Sequence, residues 1–223
     1  MGGTSFASFR TSVHLSRLEN FPTKEKPILL TASPSGIDLA EPEPVLPDIE
    51  LDRLLADGRS GSRAAQQQLY EQFHRPMFRL LIRMVGRSDA DDLLQLVFLQ
   101  VFRKLDQFQG QSRFETWLYR VTVNESLQHL RKQRSRRSVS LESDIMDLKT
   151  DQVRDFDQKE LIEYALARLD PELRSLFLLR EVEQQSYAEI ATALQIPEGT
   201  VASRLGRARQ CLKQSLVELG WEP

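Results

Sequence analysis

The chain is poor in the residues that build covalent or metal chemistry. It has one cysteine, Cys211, and three scattered histidines. That excludes an intrachain disulfide and gives no spacing for a cysteine- or histidine-rich metal site. It also lacks any apolar run near the ~18 residues that a spanning helix needs. Ile28-Leu29-Leu30 is too short and too far from the start to be a leader core. No glycine-rich phosphate loop, nucleophile elbow or metal triad is present. The expectation is a cytoplasmic, non-membrane protein with no cofactor and no enzymatic activity. His129 reads as a helix-face histidine, and Cys211 as a small half-buried filler.

An excess of either charge is missing as well, since the formal net charge is −2. The distribution says more than the total. Residues 113–137 carry seven Lys/Arg against two acidic residues, and residues 199–213 carry four against none. Between them, residues 138–163 reverse the sign, with eight Asp/Glu against three basic residues. This is the pattern of two nucleic-acid-facing surfaces joined by an acidic connector.

Strand-like alternation is absent, and the periodicity is helical throughout. Residues 1–47, rich in Ser, Thr, Pro and Gly, read as a disordered extension. Residues 48–134 read as an all-helical domain. Leu69, Phe73, Met77, Leu80, Leu81 and Met84 mark a helix from about Ser62 to Val85, stopped by Gly86. Ser88 is the expected cap of a second helix, with Asp89, Asp91 and Asp92 near its positive end. Leu94, Val97, Phe98, Val101, Phe102 and Leu105 form the stripe of that helix. A third helix is expected from Ser112 to about Gln133, with Phe114, Trp117, Leu118, Val121 and Leu130 available to its inner face. Residues 135–158 read as a flexible linker, and residues 159–223 as a second small helical domain.

The second domain holds the most specific local signal. Asp170-Pro171-Glu172 supplies a cap, a first-position proline and an acidic first turn. Ser186-Tyr187-Ala188-Glu189 is a capping box that opens a helix to Leu194. Gln195-Ile196-Pro197 breaks that helix, and Glu198-Gly199-Thr200 opens the next. In the last helix Val201, Leu205, Ala208 and Leu212 point inward, which leaves Ser203, Arg204 and Arg207 outward near its start. Two helices joined by so short a turn make a helix-turn-helix, whose second helix reads the major groove. Arginine can grip guanine with two hydrogen bonds, and lysine neutralises phosphate. Thr200, Ser203, Arg204, Arg207, Arg209 and Lys213 are therefore the candidate duplex-binding residues.

At this point the residues carry a family resemblance. Leu169-Asp170-Pro171-Glu172-Leu173-Arg174, the capping-box helix and Ile196 to Leu205 resemble region 4 of the extracytoplasmic-function (ECF) sigma factors. Residues 89–98, then Phe114-Glu115-Thr116-Trp117-Leu118-Tyr119-Arg120 and Asn124, resemble region 2 of the same family. The resemblance implies a transcription initiation factor that binds core RNA polymerase and recognises promoter −35 and −10 elements. It implies polymerase docking through Asp91, Asp92, Gln95, Phe98 and Gln100. It implies −10 DNA contacts from Arg113, Arg120, Asn124, Arg131, Lys132 and Arg134. It also admits an anti-sigma factor, which the residues neither require nor identify. The alternative for Asp91 and Asp92 is a favourable helix start. Phe114, Trp117 and Tyr119 suit either base stacking or the core.

The pattern departs from the family at three places. Leu96 stands where an acidic residue is usual, Ala202 where Lys or Arg is frequent, and Gly206 where a larger residue is frequent. A conventional duplex-binding repressor remains the main competitor. It has no use, however, for the acidic-capped helix or for the basic block that follows it.

Overall fold

The computed structural model describes residues 48–139 and 158–221. The expected extension and most of the expected linker lie outside them. Among the described residues there are eight α-helices and no strand: α1 Asp48–Arg59, α2 Arg63–Val85, α3 Arg87–Arg103, α4 Phe114–Val139, α5 Gln158–Arg168, α6 Pro171–Glu181, α7 Tyr187–Leu194 and α8 Glu198–Glu218. The all-α expectation holds.

α1 to α4 pack around Leu69, Met77, Leu81, Met84, Val97 and Leu118, all buried. The sequence reading missed α1, a short helix whose Leu51, Leu54 and Leu55 offer only one turn of periodic signal. Its Gly58 permits a close approach, because a Cβ there would lie 3.0 Å from Leu105 Cδ2. Arg59 secures the same corner by donating to the carbonyls of Leu105 and Phe108.

Ser62 caps α2 as expected, its hydroxyl accepting from the Ala65 amide. Gly86 ends α2 with φ 90° and also serves as the N-cap of α3. The cap expected at Ser88 is therefore two residues late. A left-handed glycine turns the chain in a single residue, so Ser88 already lies inside α3. α4 continues past Gln133 to Val139, so the basic run beginning at Arg131 extends the helix instead of opening the linker.

In the second half, Asp170 accepts from the Glu172 amide and Pro171 takes the first turn of α6. α6 is buried around most of its circumference, with consecutive Leu176, Phe177, Leu178 and Leu179 all inside. α8 instead buries a single stripe, Val201, Leu205, Ala208, Leu212 and Leu216. Truncating a fully buried leucine such as Leu205 to alanine costs about 2–5 kcal/mol.

Candidate nucleic-acid interface

The α7–α8 pair has helix-turn-helix geometry. Both arms of the capping box are present: the Ser186 amide donates to Glu189 Oε2 at 2.8 Å, and the Glu189 amide donates to Ser186 Oγ at 3.2 Å. Partial burial pushes the Glu189 carboxyl up. The two Ser186 hydrogen bonds and the Arg113 charge outweigh that and hold it below the ordinary carboxylate range. Gln195 turns the chain with φ 54°, and its amide closes on the Ala191 carbonyl.

On α8, Ala202, Ser203, Arg204, Gly206, Arg207 and Gln210 are exposed. The donors of the two hydroxyl candidates are occupied. Thr200 donates to the Pro197 carbonyl at 2.7 Å, and Ser203 to the Thr200 carbonyl at 3.0 Å. In this rotamer both can only accept, which suits a base amino group and not a phosphate. Arg209 departs from its expected role. Its Nε donates to Glu181 Oε1 at 3.1 Å, and Glu181 is buried, so Arg209 braces α8 against α6. Lys213 is half-buried. The exposed polar face of α8 thus centres on Ser203, Arg204 and Arg207. Gln210 continues it one turn on, a residue the sequence reading passed over. Its only signal is a polar side chain seven residues after Ser203, on the same helix face.

Arg113, just before α4, and Arg120, Asn124 and Arg131 on it recur at intervals of seven, four and seven residues. At 100° per residue these four share one line along the helix. Lys132 lies on a different side, and Arg134 flanks the line; both are exposed. Phe114, Trp117 and Tyr119 are buried. Phe73, Phe108, Phe114 and Trp117 form one ring cluster, with centroids 5.3–5.8 Å apart. The stacking role therefore gives way to the core role for these aromatics.

On α3, Asp91, Asp92 and Gln95 are exposed and Gln100 is half-buried. Phe98 departs from its expected role. It is 4% exposed and packed edge-on against Tyr70, so it supports the helix from inside and offers no surface. In its place two leucines face out: Leu96 is 50% exposed and Leu99 is 52% exposed. The two lie one turn apart and form a small apolar patch beside the exposed carboxylates and amide. Leu99 gives no sequence signal of its own, since it belongs neither to the inward stripe nor to the polar edge.

The two halves meet along α4. α7 packs beside it, and Tyr119 donates to Glu183 Oε2 at 2.8 Å, where Arg79 also arrives at 3.4 Å. Burial first, and the Glu183 charge second, raise the Tyr119 phenol well above its ordinary value, so it stays a donor. Two candidate DNA residues are engaged across this junction. Arg113 pairs with Glu189 and Arg131 with Glu172, each at 3.6 Å. Arg174 reaches over from α6 to the Met84 carbonyl at 2.7 Å, while also donating to the carbonyls of Ala167 and Leu169. No group of three or more metal-ligating side chains occurs among the described residues.

Comparison with known proteins fits this geometry. The Sigma-70 region 2 family matches residues 69–136, and the Sigma-70 region 4 family matches residues 159–212. The chain is 31% identical over 175 residues to the ECF RNA polymerase sigma-E factor of Haemophilus influenzae, covering 72% of this chain and 92% of that protein. It is 32% identical over 173 residues to the RNA polymerase sigma-H factor of Pseudomonas aeruginosa, covering 71% and 90%. Among solved structures, CnrH in complex with the cytosolic domain of CnrY shares the fold at TM-score 0.55 and 24% identity, covering 74% of this chain and 96% of that one. The sigma factor RpoE of Bartonella quintana, solved with the anti-sigma factor NepR, does so at TM-score 0.54 and 22% identity, covering 68% and 96%.

Proposed function

The chain belongs to the ECF sigma factors, and from that premise we propose how its residues divide the work of promoter recognition. The protein binds core RNA polymerase and directs it to promoters, as a non-catalytic initiation factor acting where the polymerase acts, in the cytoplasm. Residues 48–134 form the polymerase-binding and −10 domain, residues 135–158 the linker, and residues 159–223 the −35 domain. One observation carries this reading. Two separate helix faces carry exposed basic side chains, Arg131 and Arg134 on α4 and Arg204 and Arg207 on α8.

On α8, Arg204 and Arg207 supply guanine or phosphate contacts, and Ser203 and Thr200 accept from base edges. Lys213 sits further along, where it reaches backbone phosphate, and Arg209 serves the −35 face by orienting α8. Arg113, just before α4, and Arg120, Asn124 and Arg131 on it follow the −10 strand, with Lys132 and Arg134 adding phosphate contacts. The α3 surface of Asp91, Asp92, Gln95 and Gln100 docks on the polymerase. Leu96 and Leu99 supply the apolar centre of that patch, and Phe98 holds it from beneath. An anti-sigma protein is the further partner class, in keeping with the complex that contains the Bartonella relative.

Arg113 and Arg131 pair with Glu189 and Glu172 of the other half, exposed contacts worth about 0–1 kcal/mol each that a phosphate can displace. Each half binds weakly alone, and the tether turns the second contact into an intramolecular one at a correctly spaced promoter. The test is transcription by core enzyme on a library of promoter fragments. The expected result is enrichment of a −35 and −10 pair at fixed spacing, dependent on this chain. Equal enrichment of duplex sites by the free chain, with no stimulation by core enzyme, identifies a repressor instead.

A further inference from the structure

We propose that the cavity between the two halves binds a small amphipathic oxyanion, an apolar body carrying one phosphate or carboxylate group. The cavity is about 800 Å³ and is enclosed by the end of α2, the start of α3, α4, α5 and α6. That volume lies within the ~300–1,000 Å³ usual for small-molecule sites. Phe78, Ile82, Leu130 and Pro171 give it an apolar wall.

Its charge is unbalanced. Five arginines line it, Arg79, Arg83, Arg87, Arg134 and Arg174, against Glu160 and Glu163. Arg79 is matched by Glu183 and Arg83 by Glu163, each at 3.4 Å. That leaves three guanidinium groups facing the single carboxylate of Glu160. Among the described residues Arg87 and Arg134 have no hydrogen-bond or ion-pair partner.

Arg174 is the deepest of the three, at 7% exposed. Its two terminal nitrogens serve backbone carbonyls, but its Nε, also buried, has no partner. Burial first, and the Arg134 charge second, weaken its hold on its proton, with Asp170 opposing. Like charges held together beside an unpaired buried donor are stabilised by an anion between them. The mouth adds donors of the same sense. α3 begins at Gly86 with no side-chain cap, so the amides of its first turn remain open beside Arg87.

Both halves contribute walls, so the site exists only while they are together. A ligand that binds this arrangement alone stabilises it by linkage. The inference does not depend on the promoter assignment, because binding is read on the free chain.

The test is calorimetric titration of the full-length chain with octyl phosphate, octanoate, inorganic phosphate and octyl glucoside, each below its micellar range. Saturable one-to-one binding of at least one octyl anion is expected, with the tighter of the two identifying the head group. Inorganic phosphate should bind at least about tenfold more weakly for want of an apolar body. Octyl glucoside should not saturate. Arg134→Gln and Arg87→Gln, both at exposed positions, should each weaken the anion by about fivefold or more while leaving the ligand-free melting temperature in place. Absence of saturation by either anion would overturn the proposal. So would glucoside binding of equal strength, or an affinity indifferent to both substitutions.

Discussion

α4 and α8 both carry a line of arginines, yet they sit in the protein very differently. α8 has neighbours on one side, so its sequence shows one apolar stripe and one free polar face. α4 has neighbours on two sides. Trp117, Leu118 and Val121 belong to its own bundle, while Tyr119 turns toward the second half, with Thr116, Val123 and Ser126 also buried. Its arginine line is what remains between those two contacts, and both ends of the line are tied to acidic residues of the other half. A polar face is open where a helix packs once and partly engaged where it packs twice.

Breaking the contact that joins the halves should have the largest effect. Arg174→Ala leaves the carbonyls of Met84, Ala167 and Leu169 without their donor. An unsatisfied buried acceptor costs about 1–3 kcal/mol, so a loss of roughly 3 kcal/mol or more is expected in urea unfolding. A loss below about 1 kcal/mol would show that Arg174 is not a structural tie.

Tyr119→Phe acts on the α4 side alone. It removes one donor from buried Glu183 and should loosen the junction by about 1–3 kcal/mol. Faster amide exchange along α7, with α8 keeping its own protection, is the expected signature. Unchanged exchange in α7 would mean that this hydrogen bond does not hold the halves together.

On α8 the comparison can be sharpened by gain instead of loss. Gly206 is exposed, and a Cβ built there meets nothing within 4 Å. Gly206→Ala should therefore stabilise the helix by about 1 kcal/mol, raising the melting temperature by about 4–8 °C if the second half melts as its own unit. A fall would reveal a contact at this position that the free fold does not show.

The smallest effect is set by pH. Glu189 titrates below its ordinary value in the folded protein, so its contribution is present above pH 4.5 and fades as the pH falls through the depressed value. Acid should therefore fray the start of α7 and release Arg113, seen as loss of α7 helix shifts by NMR below pH 4.5 but not between pH 5 and 8. Glu189→Gln should remove that dependence.

Much of this was legible in the sequence, for reasons that differ by element. The helix-turn-helix could be read because every signal in it is local: a capping box, the Gln195-Ile196-Pro197 break and a stripe with a single period. The outward positions of Ser203, Arg204 and Arg207 follow from that stripe. Arg209 could not be placed the same way, because its partner Glu181 lies on another helix. Phe98, expected both in the inward stripe and at the docking surface, belongs to the stripe, and Leu99 had no expected place, for a related reason. One residue of helical phase separates a buried side chain from an exposed one, and the stripe alone does not fix its own edge. The junction was the least legible part. It consists of Tyr119, Glu183, Arg79 and Arg174, polar residues whose burial depends on distant partners and leaves no periodicity behind.

In the proposed division of labour α8 reads promoter sequence while α3 holds the polymerase. The most direct measurement compares Arg204→Ala/Arg207→Ala with the native chain in two assays run together, co-purification with core enzyme and run-off transcription from a selected promoter. A bidentate base contact is worth about 1–3 kcal/mol, so promoter-specific transcript should fall by about tenfold or more while core binding is unchanged. Equal loss in both assays, or no loss in either, would contradict the assignment of α8 as the duplex reader.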